Sequence, residues 1–277
     1  MVVCLPRKNI VLGEMMRRLL RFCHWSIKYA WFRLNRHWRY SHGNLILGRH
    51  ACLGADVLRL LQPENKVVNI HKGRVDYLVG CWKEKQRRAR ALHIIPHMQR
   101  EEIIGCIFQE EMLYDWMKPE RPVALFMDSG ADLTDQQFVS REEGWSFLCS
   151  YSDLDHTEQF RRAFHATGLL AIEDFNEHFG NFFEKFRLRF GNIPIFYLHF
   201  PVKLDNRRKF IDRYWAIIHT VNRLAAEFQP CYSLAVDESV VDWDEKLKPD
   251  MMRKFPYHYN RETYEVFAEM VRKTGEW

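Results

Sequence analysis

Five short apolar runs limit what this chain can fold into more than any other feature: NLIL (44–47), KVVNI (66–70), PVALFM (122–127), IPIFYL (193–198) and YSLAV (232–236). Each is rich in β-branched or aromatic residues and lacks strict apolar–polar alternation, the pattern of strands buried on both faces of a parallel sheet. Helical stretches lie between them. ADVLRLLQ follows the first run, and REEIIGCIFQEEMLYDWM precedes the third. The long segment 156–190 precedes the fourth run, 206–228 precedes the fifth, and RETYEVFAEMVRK closes the chain. Strand and helix in repeated succession predict an α/β fold. The expected form is a doubly wound, mostly parallel five-stranded sheet of the flavodoxin-like type. KEKQRRARALH, in the widest gap, reads as a solvated helix face or loop.

Residues 1–42 read differently, as a basic amphipathic helical extension ahead of an α/β domain spanning 43–277. Between Glu14 and Tyr40 stand Arg17, Arg18, Arg21, Lys28, Arg33, Arg36 and Arg39, interleaved with Trp25, Trp31 and Trp38. Such a helix packs its aromatics on the domain with its arginines solvated, or rests on an anionic membrane surface. Nucleic acid is the third and least favoured partner. No run approaches the roughly 20 apolar residues a bilayer span requires. No secretory leader is evident. Seven cysteines without CxxC spacing fit free thiols. The expected location is cytoplasmic, with peripheral association at the inner face of the membrane.

Ligands of open parallel sheets bind beyond the carboxyl ends of the strands. Those ends carry Gly48, Arg49, His50 and Cys52; His71 and Lys72; Asp128, Ser129 and Asp132; His199 and Lys203; and Asp237 and Glu238. In LILGRHACLG, Gly48 permits a sharp turn and Gly54 a close approach to the following helix. Cys52 near that helix's N-terminus is a candidate thiolate nucleophile, or a small buried filler. The amides of 48–54 are candidates to hold an oxyanion or a phosphate. His50 is a base, a positioning group or a capping residue. His258, between two aromatics before the last helix, is the candidate general base or an aromatic-packed structural histidine. Asp128 is the favoured carboxylate of the FMDSGADLTD loop. No HExxH-like spacing is present, so no metal is expected. GxGxxG, GxxxxGK[ST] and GxSxG are absent from the sequence, which lowers the standing of dinucleotide oxidoreductases, P-loop NTPases and standard α/β-hydrolases.

LILGRHACLGADVLRLL, RPVALFMDSGADLTDQQF and FPYHYNRETYEVFAEMV together resemble three blocks of the SGNH/GDSL-like hydrolase superfamily. The resemblance is to its bacterial branches linked to capsule and polysaccharide biosynthesis, some of which are acyltransferases. It departs at His50, which stands where the family's nucleophile usually lies, and at Phe255, which stands where its acid lies. A GxND block is missing. The resemblance implies acyl transfer to, or esterase-type removal from, a carbohydrate or lipid-linked sugar. His258, Cys52, Asp128 and His50 would be catalytic. Coenzyme A or acetyl-coenzyme A would be held near Gly48, Arg49, Gly54, Lys72 and Lys203. The alternative is a non-catalytic binding or assembly protein on the same fold.

Overall fold

The computed structural model describes residues 7–34, 44–83, 89–111, 113, 122–246 and 257–277. Phe255 and part of the basic stretch 83–93 therefore lie outside the described residues, as do positions 35–40 of the N-terminal segment. The five runs form one sheet. Its strands are β1 (Leu45–Arg49), β2 (Lys66–Asn69), β3 (Pro122–Asp128), β7 (Ile195–Leu198) and β8 (Cys231–Leu234), in the order β2-β1-β3-β7-β8. Every pairing is parallel. This is a doubly wound α/β fold, with the switch in strand order between β1 and β3.

Helices cover both faces because the central strands are apolar on both. β1, β3 and β7 are almost wholly buried. On one face α2 (Cys52–Leu61) packs against α10 (Arg261–Lys273). On the other, α8 (Phe175–Phe190) packs against α3 (Val75–Trp82) and α9 (Arg208–Glu227). The helical periodicity of α8 explains this placement: Phe175, Phe179, Phe182, Phe183 and Phe186 fall on one stripe and all are buried.

The sequence reading misses a second sheet, antiparallel, in the order β5-β4-β6. Its strands are β4 (Asp135–Ser140), β5 (Ser146–Ser150) and β6 (Phe164–Gly168). The FMDSGADLTD loop is a short helix, α6 (Gly130–Thr134), that runs straight into β4. The expected helix over 156–190 is interrupted in the same way, as α7 (Glu158–Ala163) gives way to β6. Phe138, Phe147, Phe160 and Phe164 stack beneath this sheet in a core of their own. That aromatic burial overrides the helical pattern of the segment.

The N-terminal helix α1 (Arg7–Leu34) joins this second core. Trp25, Tyr29 and Phe32 surround the ring of Phe108 on α5 (Ile104–Glu110) at 5.1–6.0 Å. α4 (Ala91–Ile94) is the remaining α-helix among the described residues. Among the described residues, no helix is long and apolar enough to cross a membrane.

Candidate functional site

A cleft of about 390 Å³ opens where the carboxyl ends of β1, β2, β3 and β7 meet the antiparallel sheet. It lies at the switch point, where an open α/β sheet separates its loops and leaves room for a ligand. Cys52 and His258 both line it, and so do His71, Lys72, Asp135 and Asp153. Arg100, Arg207 and Lys209 stand on its walls beside Phe200, Phe210 and Tyr257.

His258 is held by its neighbours. The hydroxyl of Tyr257 donates to Asp205, whose carboxylate is also gripped by Arg207 at 2.7 and 2.8 Å. On the other side, Tyr259 is buried, and its hydroxyl donates to the Pro201 carbonyl at 2.8 Å. Asn260 then caps α10 by accepting from the Thr263 amide at 3.0 Å. The imidazole between these anchors is half-buried. Burial, ahead of all other influences, lowers its pKa below the usual 6.5, so it is neutral at pH 7. Cys52 meets this segment directly, since its thiol donates to the Tyr257 carbonyl at 3.6 Å.

Cys52 is a thiol, which corrects the expectation of a thiolate. Burial pushes its pKa up to about 12, and the negative charges of Asp128 and Asp56 add to the effect. The helix N-terminus does not offset them.

The reason lies in Asp128, whose role also differs from the expected catalytic acid. Its Oδ2 accepts from the amides of Ala51 at 2.7 Å and Gly54 at 3.0 Å, and its Oδ1 accepts from Gly130 at 3.0 Å. Two of the amides expected to cradle an oxyanion or a phosphate, those of Ala51 and Gly54, thus already hold a carboxylate. Asp128 is buried outside the cleft lining. Desolvation raises its pKa to about 6, and the amides and Arg49 oppose that shift.

The remaining residues proposed near β1 face inward. His50 is buried, stands edge-on to Phe126, and is pushed down to about 4 by desolvation. Arg49, expected to meet phosphates, pairs with Asp132 at 2.8 Å and donates to the carbonyls of Gly73 and Asp128. Tyr197 completes this cluster by donating to Asp132 at 3.0 Å. Gly48 does not turn the chain, because it lies inside β1. A Cβ there would sit 2.8 Å from Asn69 Oδ1, the atom that accepts from the His50 amide. A Cβ on Gly54 would lie 2.4 Å from the His50 Cβ, so this glycine admits the histidine, not a ligand. Lys203 donates to the Val241 carbonyl at 2.8 Å and does not line the cleft. Lys72 does line it, paired with Asp135 at 2.9 Å and Asp153 at 3.5 Å. Burial alone would discharge this ammonium; Asp135, foremost among its anionic neighbours, holds its pKa above the ordinary lysine value.

The cleft therefore unites Cys52, His258 and Lys72 and excludes Gly48, Arg49, His50, Gly54, Asp128 and Lys203. It adds Asp135, Asp153, Arg100 and Arg207. Asp153 follows a strand of the antiparallel sheet, so its place in the cleft depended on a sheet that the apolar runs do not announce. No group of three or more histidine, cysteine or acidic side chains is arranged to hold a metal among the described residues.

No family model and no curated protein matches the chain. Among solved structures, the chain is similar to the salicylyl-acyltransferase SsfX3 from a tetracycline biosynthetic pathway. The identity is 12% and the TM-score 0.36, over 84% of this chain and 54% of that one. The chain thus spans about half the length of that protein. Similarity of this degree assigns no activity here.

Proposed function

We propose that this cleft transfers an acyl group to a carbohydrate hydroxyl, of the kind found in surface polysaccharides, with His258 as the general base. One observation carries the reading: a neutral, doubly anchored imidazole and a thiol 206 positions away in sequence line one cleft at the switch point. His258 accepts the proton of the acceptor hydroxyl, and the oxygen attacks the carbonyl of an acyl thioester such as acetyl-coenzyme A. The tetrahedral intermediate collapses, the C–S bond breaks, and the departing thiolate takes the proton from His258. The esterase-type outcome is the removal of an acyl group from a carbohydrate. His258 takes a proton from water, the hydroxide attacks the sugar ester carbonyl, and the C–O bond to the sugar breaks as its oxygen takes the proton back from His258. Arg100, Arg207 and Lys209 are the cations that would meet the donor's phosphates, in place of Arg49 and Lys203. With its pKa near 12, Cys52 serves in this scheme as a neutral wall of the acyl site, not as the nucleophile.

General-base catalysis contributes about 10²- to 10⁴-fold. His258→Ala is expected to lower kcat by at least about a hundredfold in thiol-release assays with acetyl-coenzyme A and a sugar acceptor. Cys52→Ala is expected to retain most activity. A wild-type rate in His258→Ala excludes the mechanism, and loss of all turnover in Cys52→Ala moves the nucleophile to sulfur.

A second reading, a non-catalytic binding module, is favoured by Asp128 filling two of the amides that an oxyanion would use, those of Ala51 and Gly54. It predicts sugar binding by calorimetry without thiol release, whichever variant is assayed.

A further inference from the structure

Helix α1 has two apolar faces; among the described residues, one packs into the second core and the other is largely exposed. Counting 100° per residue, Trp25, Tyr29 and Phe32 fall within about 60° of one another. They form the face that packs around Phe108. On the opposite side, Met16, Leu20, Ile27, Trp31 and Leu34 also fall within about 60°. These five are 52–78% exposed. An ordinary surface helix shows polar residues there. At 28 residues, the helix is about 42 Å long and carries the outward stripe over most of its length.

The charge of the chain is concentrated on the same element. Within 7–34 there are seven bases, Arg7, Lys8, Arg17, Arg18, Arg21, Lys28 and Arg33, against Glu14 alone. That excess of six exceeds the whole chain's net +5, so the remainder carries −1. Lys28 and Arg33 extend over the rings of Trp25 and Tyr29, at the shoulders between the packed and the outward faces. A straight apolar stripe with basic shoulders matches the boundary of an anionic bilayer, where the stripe enters the acyl region and the bases meet headgroups. A second copy docked stripe to stripe would bring two such +6 helices together.

We propose that α1 lies in the plane of an anionic lipid surface through Met16, Leu20, Ile27, Trp31 and Leu34. Its inward face meanwhile fastens the rest of the protein to it. This role is independent of the chemistry in the cleft.

Vesicle co-sedimentation of the full chain tests it, using phosphatidylcholine vesicles with and without about one-third phosphatidylglycerol. Binding is expected only to the anionic vesicles and is expected to weaken with salt. Ile27→Glu with Trp31→Glu is expected to weaken it at least tenfold, with an unchanged thermal melt because both side chains already face solvent. Lys28→Glu with Arg33→Glu, which leaves the stripe intact, is expected to weaken it by about tenfold as well. Equal binding to neutral and anionic vesicles, or anionic binding unaffected by the stripe variant, overturns the proposal. So does the absence of vesicle binding, including the case of a dimer in solution that Ile27→Glu with Trp31→Glu dissolves.

Discussion

Arg49 keeps a full charge inside the protein because Asp132 meets it at 2.8 Å and the carbonyls of Gly73 and Asp128 accept two more of its protons. Both partners are essentially inaccessible to solvent. Removing one partner of such a pair leaves an unpaired buried charge, which costs about 3–5 kcal/mol. Asp132→Ala is therefore expected to lower the unfolding free energy by about that amount in urea titrations. An unchanged midpoint would mean that water replaces the carboxylate. His50 and His199 pose the opposite problem, since burial holds them neutral with pKa values pushed down to about 4 and about 3. His71 is likewise pushed down to about 3. Below pH 6.5 the unfolded chain takes up protons that these folded imidazoles refuse, so stability is full above 6.5 and falls as the pH drops toward 4. For His50 the loss is on the order of 3 kcal/mol. Asp128, raised to about 6, works the other way between pH 6 and 3.8, and burial raises Glu110 and Asp135 in the same sense. Against these three carboxyls stand five histidines, since burial also lowers His97 and His258. The urea midpoint is expected to fall from pH 7 to pH 4.5, and a midpoint that rises would contradict these assignments.

The turn from β1 into α2 is built from close contacts that leave little freedom to its parts. Asn69 latches to His50 through two hydrogen bonds of 3.0 Å, and Asp128 ties the Ala51 and Gly54 amides to β3. Gly54→Ala forces its new methyl against the His50 Cβ at 2.4 Å. The expected loss is about 1–3 kcal/mol, read as a lower thermal midpoint, with the cleft volume unchanged. At this scale the parallel sheet was legible in the sequence, because its strands are short apolar runs without strict alternation, and β1, β3 and β7 are buried on both faces. The antiparallel sheet was not legible. β6 continues directly from α7, and its exposed His165, Ala166 and Thr167 carry no strand pattern. A signal existed at the hairpin joining β4 and β5, where Gly144 adopts φ 70° between VSREE and WSFLCS. Reading FMDSGADLTD as a loop hid it.

At the scale of the whole molecule, the site is made by bringing the two ends of the chain together. Cys52 and His258 were identifiable as reactive types at strand and helix ends. Their convergence required α2 and α10 to pack on one face of the sheet. The inward turn of Arg49, His50 and Asp128 was not legible, since a polar residue after a strand serves equally well as ligand or latch. Only the partners, Asp132, Asn69 and the three amides, decide it. The cleft's walls mix Lys72, Arg100 and Arg207 with Asp135 and Asp153, and with the rings of Phe200, Phe210 and Tyr257.

The most direct test is the pH dependence of thiol release from acetyl-coenzyme A with a sugar acceptor, for the wild type and for His258→Ala. A base acts in its neutral form, and burial lowers the pKa of His258. The wild-type rate should therefore rise with pH through a step centred below pH 6.5 and then level off. In His258→Ala that step should vanish and the plateau should fall at least about a hundredfold. A variant that keeps both the step and the plateau would contradict the assignment of His258 as the base.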